Sequence, residues 1–465
     1  MFPGVVQSPG QKPYITEPRY QWVDQKRLVG QLNEQYITEW TYFDSSLRYL
    51  CSAQRGLQGV NGKRGSRMRI RHIAVIACAA LGFSVSMVAA DTPGVTDKVV
   101  KLGNTAPYSG PASFYGTIAR AALAYFDKVN SEGGVHGRQI EVISLDDAYS
   151  PPKAVEQTRK LVESENVLAI FMPLGSPTSA ATQAYLNQKK VPQIFVTSGA
   201  ERYNEPRKYP WSIGWNVSYA DEGRIYGKYI ADFVKDPKVS ILYANDDFGR
   251  AVLEGLKDAL SRRNIPIVAA ASYEISDATV DSQITRLKGS GSNAFVNAAT
   301  PKFAAQAVKA ASAMGWKPLM LLPSVSNSID PVLTSVGLEN AIGAVSASYS
   351  KQPSDPQWKD APDFKEWLAF MDKYYPSGSK TEWLNAYGYS MAYAMHQALE
   401  RAGRDLDRDS LMKALHSMRK MDVPMLLPGV TVSISEEDHG PIKEMQMMRF
   451  DGKTWVSTGE LISGR

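Results

Sequence analysis

Lys98-Val-Val-Lys-Leu-Gly103, Gln139-Ile-Glu-Val-Ile-Ser-Leu145, Val167-Leu-Ala-Ile-Phe171 and Gln193-Ile-Phe-Val196 are short β-branched runs set at intervals along the chain. The segments between them read as helices. From Thr117 to Asn130, Ile118, Ala121, Ala122, Tyr125, Phe126 and Val129 recur at helical spacing. Gly133-Gly134 then supplies the positive φ that often ends a helix. Pro151 to Glu163 starts on a Pro pair suited to a first turn, and Pro177 to Gln188 follows the third run. Strand and helix thus alternate as βαβαβαβ, which predicts a parallel sheet covered by helices on both faces.

Working outward, the rhythm breaks near Trp211 to Tyr219 and restarts. Val239–Ala244, Ile265–Ser272, Ala294–Asn297 and Leu319–Leu322 read as strands. Helices at 248–263, 280–288 and 302–314 separate them. Two series of similar size predict two doubly wound α/β lobes, although no residue-level repeat links them. Asp363 to Arg404 reads as helical, and Val430–Ile434 and Met445–Phe450 as late strands. A chain that continues after both lobes are built is expected to revisit each one.

Upstream, Met68-Arg-Ile-Arg-His72 is basic, Ile73 to Ser86 is apolar, and Val88-Ala89-Ala90 places small residues before Asp91. These are the parts of a cleaved export signal. The expected organisation is a mis-assigned or disordered leader at 1–67, a signal peptide at 68–90, and an exported protein starting at Asp91. A lipoprotein-type reading at Cys78 would leave only Ile73 to Ala77 as the apolar stretch, short of the roughly 7–15 residues required. Residues 1–90 hold 11 Lys+Arg and 5 Asp+Glu of the chain's 52 and 47, so residues 91–465 carry a net charge of −1. A nucleic-acid binder would concentrate basic residues in its folded part, and none is expected as partner. Both cysteines, Cys51 and Cys78, precede Asp91, so the exported part has no disulfide or thiol nucleophile.

In open parallel sheets, ligands sit beyond the carboxyl ends of the strands. After the first strand comes Tyr108-Ser109-Gly110-Pro-Ala-Ser-Phe-Tyr115, which offers aromatic walls and small residues, though Ser-Gly-Pro is also an ordinary turn. Gly175-Ser176-Pro177 follows the third strand. Ser176 is a candidate cap, and the free N–H groups of the helix start suit a carboxylate. Thr197-Ser198-Gly199 ends the fourth. In the second half, Asp246-Asp247-Phe248 opens a helix; Phe248 can pack on a ligand, and the acids can serve as caps. Thr300 and Ser324 stand at two later strand ends.

No Gly-x-Ser-x-Gly elbow or phosphate loop occurs, and His136, His396, His416 and His439 are not at metal-ligand spacing. Asp146-Asp147 is wrong for paired acid–base work, because adjacent strand residues point to opposite faces. No enzyme activity, cofactor or metal is expected.

Tyr108-Ser-Gly-Pro-Ala-Ser-Phe-Tyr-Gly116, Asn130-Ser-Glu-Gly-Gly-Val-His-Gly137, Asp146-Asp-Ala148, Val191-Pro-Gln-Ile194 and Asn245-Asp-Asp-Phe-Gly249 occur in an order and spacing that resembles the leucine/isoleucine/valine-binding receptors, the type I periplasmic binding proteins. The resemblance runs from about Lys98 to Lys453. It implies two lobes joined by a three-crossing hinge, with the first lobe at 97–215 plus 347–424 and the second at 216–346 plus 425–460. It also implies a monomer in the periplasm that closes on a small-molecule ligand and is read by an inner-membrane ABC permease. Two places depart from the family. Tyr149 and Leu174 stand where paired cysteines often occur, and Ser324-Val325 stands where a carboxylate receives the ligand's ammonium. The anion loop without its cation partner points to a carboxylic acid lacking an α-amino group, aromatic or otherwise. An amino-acid receptor, an amide- or urea-type relative and a sensor feeding a signalling partner remain alternatives.

Overall fold

The computed structural model describes residues 92–465; the expected leader and export signal lie outside the described residues. Strands β1 (Val99–Ala106), β2 (Gln139–Asp146), β3 (Ala169–Phe171), β4 (Gln193–Val196) and β5 (Ser212–Gly214) form a parallel sheet of order β2-β1-β3-β4-β5. Their connections are α1 (Gly116–Ser131), α2 (Pro151–Arg159) and α3 (Ser176–Gln188). The six apolar positions that define α1 in the sequence are all buried.

The second sheet contains β6 (Val239–Ala244), β7 (Ile267–Tyr273), β8 (Ala294–Ala298), β9 (Leu319–Leu321) and β10 (Val345–Ser348). They run parallel in the order β7-β6-β8-β9-β10, which repeats the 2-1-3-4-5 order of the first lobe. The two halves therefore share topology without sharing residues. Helices α4 (Tyr219–Phe233), α5 (Asp247–Ser261), α6 (Asp281–Gly289) and α7 (Pro301–Ala313) belong to this half. Two antiparallel strands, β11 (Glu444–Phe450) and β12 (Trp455–Ser463), extend the sheet beyond β10.

After β10 the chain returns to the first lobe. Helix α8 (Pro362–Tyr374) is followed by α9 (Trp383–Ala402), which lies on α1 closely enough that a Cβ at Gly388 would sit 2.2 Å from the Ile118 carbonyl. Tyr125 meets Tyr389 edge-on at 5.1 Å. Helix α10 (Arg408–His416) is tied to the same lobe by Arg408, which donates to the Val167 and Leu168 carbonyls at 3.0 Å each. The chain then crosses back to β11, so three passages join the lobes.

Several elements differ from the sequence reading. Helix α4 was hidden because its inward face buries Asp221 and Glu222 beside Ile225 and Tyr226, which breaks the apolar stripe. Strand β5 is only three residues long. Residues 430–434 are not a strand: Val432 makes one isolated pairing with Met421 and no neighbouring strand runs alongside. The expected lobe boundary at 346/347 falls inside β10.

Candidate functional site

The strand order of each lobe reverses at one point, between β1 and β3 in the first and between β6 and β8 in the second. A crevice opens outside the carboxyl ends of strands at such a switch. Here the two crevices face one another. Tyr115 (after β1) and Gly175 and Ser176 (after β3) come from the first lobe, and Phe248 (after β6) and Thr300 (after β8) from the second. Thr197, which follows β4, completes the group of expected residues that line the cleft. Ile118, Tyr149, Leu174, Asn216, Tyr219, Val325, Trp383, Leu384 and Tyr387 also line it. None of the fifteen is charged. Free space between them is about 30 Å³, room for one or two waters.

Helix α3 starts against this cleft. Ser176 is its first residue, so the cap position belongs to Gly175 and not, as expected, to Ser176. Gly175 has φ +101, and a Cβ there would lie 2.5 Å from the Tyr149 ring and 2.7 Å from Thr178 Oγ1. The Ser176 hydroxyl pairs with Ser198 Oγ at 2.7 Å. The N–H groups of Ser176 and Thr178 donate to no backbone carbonyl among the described residues. Thr197 Oγ1 is buried beside them without a partner. An uncommitted helix N-terminus of this kind favours an anion.

Five expected residues do not line the cleft: hydrogen bonding explains four of them and close packing the fifth. Tyr108 donates its backbone N–H to Asp146 Oδ1 at 2.9 Å, and its hydroxyl meets Ser144 Oγ at 2.6 Å. Ser109 is exposed and donates its hydroxyl to Asp146 Oδ2 at 2.6 Å. Ser198 Oγ is taken by Ser176 and also accepts the Ala200 N–H. Gly199 lies under the crossing chain, where a Cβ would sit 2.3 Å from the Val217 carbonyl. Ser324 turns away, donating its N–H and hydroxyl to Glu222 at 2.6 and 3.1 Å.

The carboxylates around the site have structural partners. Burial works against ionisation of Asp146, but hydrogen bonds from Ser109, Ala148 and Lys153 outweigh it and hold its carboxyl well below the usual range. Burial pushes Asp147 up to about 6, and its Oδ1 accepts the Tyr149 N–H at 2.8 Å. Between them the two acids pin Ala148 and Tyr149, both at positive φ, and this turn delivers the Tyr149 ring to the cleft. Asp246 caps α5 through the N–H groups of Phe248 and Gly249, and Asp247 is exposed and pairs with Arg202. Burial raises the carboxyl of Glu222, whose oxygens are occupied by Ser324 and Tyr226. Burial also holds the phenols of Tyr115, Tyr149, Tyr219 and Tyr387 above their ordinary value, so they are neutral.

Five of the unexpected residues come from the first passage (Asn216), the start of α4 that follows it (Tyr219) and α9 (Trp383, Leu384 and Tyr387). Tyr149 and Leu174 sit in loops already singled out, but no local signal distinguished them as wall residues.

Two doubly wound lobes, joined by three passages and facing each other across a cleft, define a bilobal ligand-binding protein of the type I periplasmic class. Residues 99–454 match the model of the periplasmic binding protein family, and the chain belongs to that family of solute-binding receptors. It is 26% identical over 232 residues to the "Leucine-, isoleucine-, valine-, threonine-, and alanine-binding protein" of Pseudomonas aeruginosa, a match covering 49% of this chain and 59% of that relative's length. Among solved structures, a branched chain amino acid ABC transporter from Thermus thermophilus with bound valine superposes with a TM-score of 0.72 at 18% identity. That match covers 79% of this chain and 97% of the other. A solute-binding protein of an ABC transporter from Rhodopseudomonas palustris BisB5, in complex with 3,4-dihydroxy benzoic acid, gives 0.67 at 21% identity, covering 79% and 98%. At these identities the structural likenesses establish the fold alone.

Proposed function

We propose that this chain is the extracytoplasmic receptor of an ABC importer and captures a small carboxylate with an aromatic or other apolar body. The observation that carries this reading is the polarity of the cleft. Its lining contains no charged side chain, while the start of α3 brings uncommitted N–H groups to it beside a buried, unpartnered Thr197 hydroxyl. A carboxylate satisfies those donors, and aromatic walls accept an apolar body. An ammonium would lie in a poorly solvated chamber without a counter-charge, which is costly. The protein acts as a monomer in the periplasm, with a membrane permease reading the closed, occupied form.

A receptor for branched-chain or other amino acids is the second reading, favoured by what the Pseudomonas relative and the Thermus structure are named for. It needs an acid at the ammonium. Glu222 is occupied by Ser324 and Tyr226, whereas Asp246 uses only Oδ1 in the α5 cap and is the acid this reading would enlist. A thermal-shift screen of residues 91–465 against organic acids and amino acids separates the readings. A ligand at a hundred times its dissociation constant adds about 2.7 kcal/mol. Stabilisation by amino acids alone would overturn the organic-acid reading.

A further inference from the structure

Thr197 is not the only side chain in the cleft with an unmade bond. Asn216 lies on the first passage between the lobes, between β5 and α4, and is 3% exposed. The Trp215 N–H donates to the Val196 carbonyl at 3.1 Å, so the chain carrying Asn216 runs beside the chain carrying Thr197. Asn216 Oδ1 accepts the hydroxyl of Tyr387 from α9. With the oxygen held there, the amide nitrogen has to face elsewhere, and Asn216 lines the cleft. Its Nδ2 donates to no described residue. An amide nitrogen offers two donors and no acceptor. The nitrogen is open to the cleft and not sealed in the protein, so an oxygen acceptor on whatever fills the space would complete its bonding.

We infer that Asn216 is a specificity-determining residue: its Nδ2 donates to the ligand's carboxylate alongside Thr197 Oγ1, so that the site distinguishes an acid from its neutral analogue. This rests on the carboxylate reading above. It adds that the acid is read partly from the inter-lobe passage, with Tyr387 fixing the orientation of the amide.

The test compares acids with their primary amides: benzoate, 4-hydroxybenzoate, 3-phenylpropionate and octanoate, by calorimetry on the full exported chain. Asn216→Asp keeps an oxygen for Tyr387 but replaces the donor with a charge that repels an anion. The expected result is a loss of about tenfold or more for the acids, with the paired amides changing by less than about threefold. Asn216→Ala, which introduces no charge, carries the same comparison if Asn216→Asp does not fold; the acid-to-amide affinity ratio again falls. Equal losses for acids and amides would reduce Asn216 to a structural role and overturn the inference, as would unchanged acid affinity. Failure of the wild-type protein to bind any acid in the panel would instead remove the carboxylate reading itself.

Discussion

The Tyr115 hydroxyl donates to the Val325 carbonyl at 2.9 Å, joining a loop of the first lobe to a turn of the second across 210 residues of sequence. Both residues line the cleft, so this bond exists only while the lobes are together. Tyr115→Phe removes it and keeps the ring. A single neutral hydrogen bond is worth about 0.5–1.5 kcal/mol, so ligand affinity should fall about two- to tenfold. Calorimetry on the variant checks this, and unchanged affinity would mean that the contact does not help hold the closed form.

With about 30 Å³ free between the lobes, binding of an organic acid is expected to involve their parting for entry and closing afterwards. Ligand that binds the closed form preferentially shifts that equilibrium. Small-angle scattering should give a smaller radius of gyration with saturating ligand than without. The same radius under both conditions, with binding verified, would argue against a hinge.

Charge selection gives a matched pair. Phenylpropionate and phenylalanine differ at the α-amino group, and the cleft lining offers that group no counter-charge. Burying an unpaired ammonium costs several kcal/mol, or more than about a hundredfold in affinity. Phenylalanine binding as well as phenylpropionate would restore the amino-acid reading.

Glu382 caps α9 through the Leu384 N–H and accepts the Ser328 hydroxyl at 3.0 Å, while buried with Asp330 nearby. Burial pushes its carboxyl up to about 8 from 4.5. Between those values the folded protein holds a proton that the unfolded chain has released. Stability from this group is therefore greatest on the acid side and declines as pH rises toward 8, by on the order of a few kcal/mol. Glu382→Gln keeps the acceptor and removes the titration. The difference in thermal midpoint between variant and wild type should widen in the variant's favour from pH 5 to 8. A constant difference would show that the carboxyl does not titrate in this window.

Gly175 holds φ +101 with the Tyr149 ring and Thr178 hydroxyl against it. Gly175→Ala should destabilise by about 1–3 kcal/mol and weaken ligand by displacing the start of α3. Chemical denaturation measures the first effect and calorimetry the second. A variant as stable as wild type would mean that the turn relaxes freely.

Alternation of strand and helix was legible because it depends on local periodicity: the buried face of α1 can be read from the spacing of Ile118 to Val129. The strand-end loops that hold Tyr115, Gly175, Ser176, Thr197, Phe248 and Thr300 followed from the same pattern, since a parallel sheet puts those ends on one side. What the pattern does not contain is the direction of a side chain once it has partners far away in sequence. Ser324 looks available in its turn, but Glu222, 102 residues earlier, takes both its donors. Ser198 is spent on Ser176 in the same way. Asn216, Trp383 and Tyr387 have no local signature of a binding site; they reach the cleft because the chain passes between the lobes and α9 packs on α1. The sequence by itself determined the two lobes and the loops that bound the cleft. Only tertiary packing decided which side chains face it, because long-range hydrogen bonds and burial set their directions.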